Sequence, residues 1–364
     1  AAAWFEFSMN GVCPRIPLPE AGRLVALRNL DLAVGASESR SLHDYESWRE
    51  ELTTVEELTA VSSQQFNVMT DAGRFASLRG ARVTASMFRL AGIRPLLGRT
   101  LTDADYRADA APVVVLGHSA WRQLFDGDRS AIGRTVRLGA EYATVVGVMP
   151  ERFAFPLNHE LWTPLRESAI RHARREGPSI SMYGRLASGT SLDEARAQLE
   201  LIGQRAAVAF PETHEQLRPE MRRFGRGNDM AAAIAGANLP FLLFLIVVSA
   251  NVATLFFART ATRGSELAMR SALGASRRRI VVQLVAEALV LTSIAAALGL
   301  AAADYGLRWG MDLFWQVQQM KPPFWWSTGV SPITVLYGGI LAVIGAAIIG
   351  GVPGLRAARH DLRH

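Results

Sequence analysis

Long apolar stretches dominate the C-terminal part of the chain. Residues Met230–Ala258 carry no charged side chain, Ile280–Ala303 is apolar except for Glu287, and Pro322–Leu355 is again free of charge. At about 1.5 Å of rise per residue, some twenty residues of helix cross a hydrocarbon core about 30 Å thick. The pattern therefore predicts three membrane spans, at about 236–258, 280–303 and 333–354.

The distribution of arginine predicts the orientation of these spans. The connection between the first two holds one acidic residue, Glu266, against Arg259, Arg263, Arg270, Arg277, Arg278 and Arg279. The tail after the third span is also basic. Because basic loops are retained in the cytoplasm, both segments are predicted to be cytoplasmic. The connection between spans two and three has balanced charges and four tryptophans, so it is predicted to face outside, as is everything before the first span.

A short amphipathic helix is predicted at residues 265–276, inside the cytoplasmic connection. Ser265 can cap its start, Glu266 and Arg270 form an i,i+4 pair, and Gly274 can end it before the second span. Spacing alone leaves two interpretations open. The helix either lies on lipid headgroups or docks on a partner protein.

The residues before Met230 alternate between strand-like and helix-like stretches. The predicted strands are Gly22–Arg28, Leu58–Met69, Arg74–Thr84, Pro112–Leu116, a hairpin of Thr135–Leu138 with Tyr142–Val148, and Met182–Leu186. One helix is predicted directly after Ser41, and three more are predicted at Ser86–Ala91, Ser119–Phe125 and Leu192–Ala209. The last begins with a Ser191/Glu194 capping box. We therefore predict a mixed α/β extracytoplasmic domain at residues 1–229, followed by an α-helical transmembrane bundle at 230–364.

Charge and composition exclude some classes of function. The net charge is +6 with a pI near 10, but all of the excess lies from Met230 onward, and the earlier part has no net charge. The excess is therefore a signal of membrane topology, and no nucleic-acid partner is expected. The single cysteine, Cys13, cannot form an internal disulfide.

Motifs for enzymatic chemistry are missing from the sequence. A P-loop needs a lysine after a glycine, but the one lysine, Lys321, lies between Met320 and Pro322. The histidines show no zinc-ligand spacing, so no metal is expected. The stretch GHSAW at Gly117 lacks the second glycine of a nucleophile elbow. We expect a transport subunit rather than an enzyme, with no cofactor bound by this chain.

Two stretches carry a family resemblance. SANVATLFFARTATRGSELAMRSALGASRRRIVVQLVAEALVL resembles the signature of FtsX-like permeases, the membrane subunits of ABC systems, and PGLRAARHDL resembles their closing motif. GIRPLLGRTLTDADY, VVVLGHSAWRQLFDGD and YGRLASGTSLDEARAQL resemble the periplasmic core domain of macrolide-exporter-like permeases. The match is closest to large bacterial permeases with two such halves, of which this chain resembles one.

The resemblance implies a site, partners and a location. The cytoplasmic helix corresponds to a coupling helix that docks on a separate ABC ATPase, through Glu266, Met269, Arg270, Leu273, Gly274, Ala275, Ser276 and Arg277. A permease dimer or a second half-permease is expected, because an ABC ATPase works as a pair. A fourth span is expected before the exterior domain, outside the residues given. The location implied is the bacterial inner membrane, with several spans and the large domain outside the cytoplasm.

Glu287 is the one ionisable residue well inside a predicted span. Charge inside lipid is costly, so its default interpretation is functional. It nevertheless lies only seven residues, about 10 Å, from the cytoplasmic end of the span, with Gln283 and Arg279 one and two turns back on its face. A structural or coupling contact is favoured over a proton or ion relay.

Three functions remain open at this stage. The first is a permease subunit that transmits ATP-driven motion to the exterior domain, for export of a hydrophobic compound, peptide or lipoprotein. The second is a regulatory membrane protein that controls an extracytoplasmic partner, and the third is an orphan scaffold without an ATPase. Capture of an ATPase separates the first two from the third.

Overall fold

The computed structural model describes residues 16–225, 277–317, 321–326 and 329–360, with the single positions 243, 247, 251 and 254. These residues belong to two compact units. One contains the exterior domain together with Lys321–Trp326, and the other contains the long C-terminal helices.

Strands of the exterior domain form one eleven-stranded sheet. They are β1 Leu24–Asp31, β2 Ala36–Glu38, β3 Val55–Thr70, β4 Phe75–Val83, β5 Leu97–Gly98, β6 Val113–Leu116, β7 Thr135–Leu138, β8 Glu141–Val148, β9 Leu161–Pro164, β10 Ser181–Leu186 and β11 Leu217–Arg223. The order across the sheet is β11-β1-β10-β3-β4-β9-β6-β8-β5, with β2 beside β1 and β7 beside β3 and β8. The pairs β4–β9 and β6–β8 are parallel, and the other pairs are antiparallel.

Helices of the exterior domain cover this sheet and fill three buried clusters. They are α1 Leu42–Glu51, α2 Ser86–Ala91, α3 His118–Phe125, α4 Leu192–Ala209 and α5 Pro211–His214. The first cluster packs α1 and α4 on β1, β3 and β10, and the third packs α3 on β4, β6 and β8. The second contains Phe88, Phe153, Phe155 and Trp162. Together, the three clusters contain side chains from along the whole sequence of the domain.

The predicted α/β class of this domain is confirmed, and most predicted elements lie within a few residues of the observed ones. The capping box holds as predicted, since Ser191 Oγ accepts from Glu194 N and the Glu194 carboxylate accepts from Ser191 N. Four strands were not predicted: β2, β5, β9 and β11. β11 reads LRPEMRR, and it is an edge strand, where proline and charge protect the free side from further pairing.

Two long helices make up the described part of the second unit. They are α6 Arg277–Val317, 41 residues, and α7 Pro332–His360, 29 residues. The second and third predicted spans lie inside them. α6 continues well past residue 303, into the stretch predicted as the outer connection, because no proline interrupts it and Asp304 pairs with Arg308 one turn on at 2.9 Å.

By length and composition, one helical stretch in the described residues can cross a membrane, Val285–Val317, with mean hydropathy 2.0. A shorter apolar stretch covers Pro332–Ile344. Of the first predicted span, only positions 243, 247, 251 and 254 are described, and each is helical. The three spans and the expected fourth therefore remain predictions, as does the domain boundary at residue 229.

Candidate functional site

Residues Lys321–Trp326, between α6 and α7 in the chain, form part of the same compact unit as the exterior domain. We call them the docked segment. Its surface on the domain, which we call the docking site, is formed by Phe155, Leu157, Asn158, Glu160 and Phe224.

Two hydrogen bonds fix the register of the docked segment. Phe324 N donates to Leu157 O at 2.8 Å. Asn158 Nδ2 donates to Lys321 O at 2.5 Å. Each bond joins a backbone group of the segment to the loop before β9, and the two lie three residues apart along the segment. A shift of the segment by one residue would break both.

An ion pair closes one end of this contact. Lys321 Nζ lies 2.7 Å from Glu160 Oε1. The Glu160 side chain is only 8% exposed, whereas that of Lys321 is 62% exposed, so the lysine reaches from the surface to a carboxylate that is nearly covered. Ser119 Oγ donates to the same oxygen at 3.2 Å. Without Lys321, the described residues would leave Glu160 with the neutral Ser119 hydroxyl as its side-chain donor for a buried charge, which is unfavourable.

Backbone contacts hold Glu160 rigidly. Its N–H donates to Arg79 O at 2.7 Å, and its carbonyl accepts from Gly117 N at 2.6 Å. A Cβ atom at Gly117 would lie 2.9 Å from Glu160 O, so this close approach requires glycine. Glu160 therefore stands at a fixed point beside the first residue of β9, in the interior of the sheet.

Aromatic rings form the apolar part of the contact. Phe324 packs on Phe155 with ring centroids 6.5 Å apart, and Trp325 packs on Phe224 at 5.3 Å. Both Phe155 and Phe224 belong to the second buried cluster. Phe224 follows β11 directly and pairs its N–H with Leu24 O. Trp325 thus contacts the domain beside Gly225, the last described residue of the domain in that part of the chain.

His159 lies between Asn158 and Glu160 of the docking site and is 1% exposed. Its Nε2 is 2.8 Å from Ser63 Oγ, and its Nδ1 has no partner among the described residues. Burial lowers the pKa of His159 to about 4, with a further contribution from the positive charge of Arg79. The imidazole is therefore neutral at physiological pH, and among the described residues no carboxylate orients it as in a catalytic triad.

A cleft of about 400 Å³ lies elsewhere on the domain, beside α1 and α2. Carboxylates outnumber guanidinium groups on its walls: Glu46, Glu56, Glu57, Asp103 and Glu167 against Arg49 and Arg89. These carboxylates have partners already, such as Arg89 for Glu57 at 2.9 Å and His172 for Glu167 at 3.2 Å. No group of three or more metal-ligating side chains was found in the residues that the structure describes.

The predicted ATPase-coupling residues fall almost entirely outside the described part of the chain. Glu266, Met269, Arg270, Leu273, Gly274, Ala275 and Ser276 are not described. Arg277 is the first residue of α6. The coupling site therefore stays a prediction. The tryptophans of the outer connection were predicted to lie at the headgroup boundary. In the structure, Trp325 packs against the second buried cluster of the domain.

Glu287 lies on α6 with an exposed side chain. It accepts a hydrogen bond from Gln283 Nε2 at 3.3 Å, one helical turn back. This is one of the two neighbours that the sequence places on its face. At the other end of the helix, Asp304 also accepts from Val330 N at 3.0 Å, which ties α6 to the residues just before α7.

Two family models cover most of the chain. The model of the MacB-like periplasmic core domain matches residues 16–202, more than half of the sequence. The model of the FtsX-like permease C-terminal region matches residues 238–362. The chain therefore belongs to the FtsX/MacB-like permeases, a family of ABC exporter permeases, and its exterior domain is of the MacB-like periplasmic type.

Curated relatives of this chain include two exporters. The macrolide export ATP-binding/permease protein MacB of Chromobacterium violaceum is 25% identical over 283 residues, which are 76% of this chain and 41% of that protein. The probable syringafactin export ATP-binding/permease protein SyfD of Pseudomonas syringae pv. tomato is 25% identical over 293 residues, 79% of this chain and 41% of that protein. The chain thus spans about two fifths of the length of these relatives.

Two solved structures of extracytoplasmic regions align with this chain. The periplasmic region of MacB from Actinobacillus actinomycetemcomitans aligns with a TM-score of 0.44 and 17% identity, covering 59% of this chain and 91% of that one. The extracellular domain of the transporter YknZ from Gram-positive bacteria aligns with a TM-score of 0.42 and 13% identity, covering 54% and 99%.

Proposed function

We propose that this protein is the permease subunit of an ABC export system that transmits ATP-driven motion of a separate ATPase to its exterior domain. The observation that carries the proposal is the pairing, on one chain, of a MacB-like periplasmic core domain with an FtsX-like permease region. The first supplies a surface outside the cytoplasm, and the second supplies the membrane part through which motion has to pass.

The source of the motion is proposed to be another subunit. The residues given contain no P-loop, since the one lysine is preceded by Met320 and followed by Pro322. The proposed contact with the ATPase is the helix 265–276 and Arg277, on the cytoplasmic side that the arginine distribution predicts. Nucleotide-dependent pairing of two ATPase subunits moves this helix, and the spans at 236–258, 280–303 and 333–354 carry the motion across the bilayer.

Work is done outside the cytoplasm in this mechanism. The cargo is a hydrophobic compound, a peptide or a lipoprotein, classes consistent with the macrolide and syringafactin exporters among the relatives. A permease dimer, or a second half-permease, supplies the second coupling helix. Such a transmission needs contacts that differ between the two states, because a ligand shifts an equilibrium only by its differential affinity.

A regulatory protein that controls an extracytoplasmic partner is the second candidate. It would use the same ATPase contact and would differ in what the exterior domain binds. An orphan scaffold would bind an exterior partner without an ATPase.

The experiment is a pull-down from native membranes with the intact chain and with a variant carrying Glu266→Ala, Arg270→Ala and Arg277→Ala. A control of the same composition, Glu212→Ala, Arg205→Ala and Arg218→Ala, changes exposed residues of the exterior domain. We expect an ATPase to be captured by the intact chain and the control, and to be reduced at least tenfold with the coupling variant. Absence of an ATPase from all three samples would favour the orphan scaffold.

A further inference from the structure

The docked segment is joined by short lengths of chain to both long helices. Lys321 follows the end of α6 at Val317 by four residues, and Trp326 precedes the start of α7 at Pro332 by six. At about 3.5 Å per extended residue, these connections reach at most about 14 Å and about 21 Å. While the segment remains docked, these connections join the domain covalently to both helices.

The contact has the character of a built interface. It combines a nearly buried carboxylate, two hydrogen bonds to backbone groups and two aromatic contacts with a buried cluster. Its components come from residues far apart in the sequence, around 155–160, 224 and 321–325. The domain side is rigid, since Glu160 is held through its own backbone by Arg79 and Gly117.

We propose that the docking site is the receptor for Lys321–Trp326 of the same chain, and that this docking forms a second link, a strut, through which the exterior domain follows α6 and α7. The first link is the covalent chain after Gly225. The proposal rests on the proposed function, because it assigns a path to the transmitted motion. The segment stays docked in every state, since Phe324 and Trp325 pack on a buried cluster and Lys321 pairs with a nearly buried carboxylate.

A zero-length cross-link tests the docking itself. A water-soluble carbodiimide activates the Glu160 carboxylate, the Lys321 amine attacks it, and an amide forms with release of the reagent as its urea. The atoms to be joined lie 2.7 Å apart, and the chain contains no other lysine. For the full chain in lipid nanodiscs, we expect mass spectrometry to find peptides around residues 160 and 321 joined with the loss of one water.

Two matched variants control this reaction. Lys321→Arg keeps the positive charge but has no primary amine to react, and Glu160→Gln keeps the shape but has no carboxylate to activate. Neither should give the cross-link. Its absence from the intact chain would overturn the docking site, and a product with the mass of two chains would overturn docking within one chain.

Hydrogen exchange tests the transmission. The complex with the ATPase captured in the pull-down is compared without nucleotide and after trapping with ATP and vanadate. We expect trapping to change exchange in the peptides of residues 155–165 and 217–225 of the intact chain and of Lys321→Arg. In Lys321→Met combined with Phe324→Ala, the change should be at least twofold smaller, with capture of the ATPase unaltered.

The cross-linked chain separates a strut from a latch that must open. A strut keeps its response to nucleotide after cross-linking, whereas loss of the response would overturn the proposal. An unchanged response in the double variant would overturn it equally. If the intact chain captures no ATPase, the proposed function fails and the role as a strut fails with it, but the cross-link still decides whether the docking site exists.

Discussion

The exterior domain and the C-terminal helices differ in where they place their large apolar side chains. In the domain, large apolar side chains point inward, and Leu116 of β6 is 0% exposed. On α6 they point outward, and Leu291 is 52% exposed, with Val290 and Leu298 near it. A helix whose apolar side chains are this exposed needs an apolar surrounding. The comparison therefore predicts two solvents for one chain, water around the sheet and lipid around α6.

The exterior domain provides basic partners for its buried carboxylates. In the domain, Asp31 and Asp105 are nearly buried and each has an arginine partner. The hydrogen bond from Arg175 lowers the pKa of Asp31. Burial raises the pKa of Asp105, but hydrogen bonds from Arg99 and Thr102 outweigh it, so that pKa is lowered as well. The carboxylates thus stay charged without bulk water, because the domain supplies their donors.

The largest expected effect comes from truncating a leucine on each side of this comparison. Leu116→Ala leaves a cavity in the sheet core and should lower the free energy of unfolding by about 2–5 kcal/mol. Leu291→Ala removes a side chain that projects outward and should cost less than about 1 kcal/mol. Urea unfolding of the full chain in nanodiscs, followed by hydrogen exchange of each region, measures both. Equal costs would contradict the division into two solvents.

A charge placed on two exposed leucines tests the solvent directly. Leu201 of α4 is 60% exposed and Leu291 of α6 is 52% exposed, so the structure alone does not distinguish them. We expect Leu201→Arg to change stability by less than about 0.5 kcal/mol. Leu291→Arg should weaken membrane insertion by about 3 kcal/mol, since lipid cannot solvate the charge. Glycosylation-site reporters measure insertion, and unchanged insertion would refute the span at 280–303.

The buried His159 predicts a pH dependence of the exterior domain. The unfolded chain takes up a proton near pH 6.5, whereas the folded domain does so only near pH 4, the lowered pKa of His159. The contribution of neutral His159 to the free energy of unfolding is therefore fully present above pH 6.5 and is lost as pH falls toward 4, by about 3 kcal/mol. Hydrogen exchange of β3 and β4 at pH 4 to 7 measures it. His159→Gln, which cannot titrate, should lack this part of the slope.

The capping box of α4 gives the smallest expected effect. Ser191→Ala removes the acceptor for Glu194 N and should cost about 1 kcal/mol. Ser191→Asp keeps an acceptor at the cap and should stay close to the original stability. Exchange of the first turn of α4 is the measurement. A cost equal to that of Leu116→Ala would mean that this surface helix supports the core more than its partly exposed position indicates.

Local patterns were enough to predict much of the fold. The capping box, the 135–148 hairpin and the helix at Ser86–Ala91 each depend on neighbours in sequence, and each lies where it was predicted. β9 and β11 were missed because LWTP is short and LRPEMRR is charged. β11 is a strand only because β1 pairs with it across some 190 residues of chain. α6 extends to Val317, beyond the span predicted at 280–303, because the helix continues where the apolar content falls.

The sequence also predicted only part of the functional sites. The sequence by itself determined the apolar stretches and the arginine-rich connection, because these follow from composition and spacing over consecutive residues. Its motifs carried the family resemblance. The docking site was decided by tertiary structure alone. KPPFWW has the composition of an interfacial loop, and only the fold brings Glu160, Phe155 and Phe224 to one surface that can receive it. A contact between residues more than a hundred positions apart leaves no local pattern in the sequence, because the two surfaces meet only after the chain has folded.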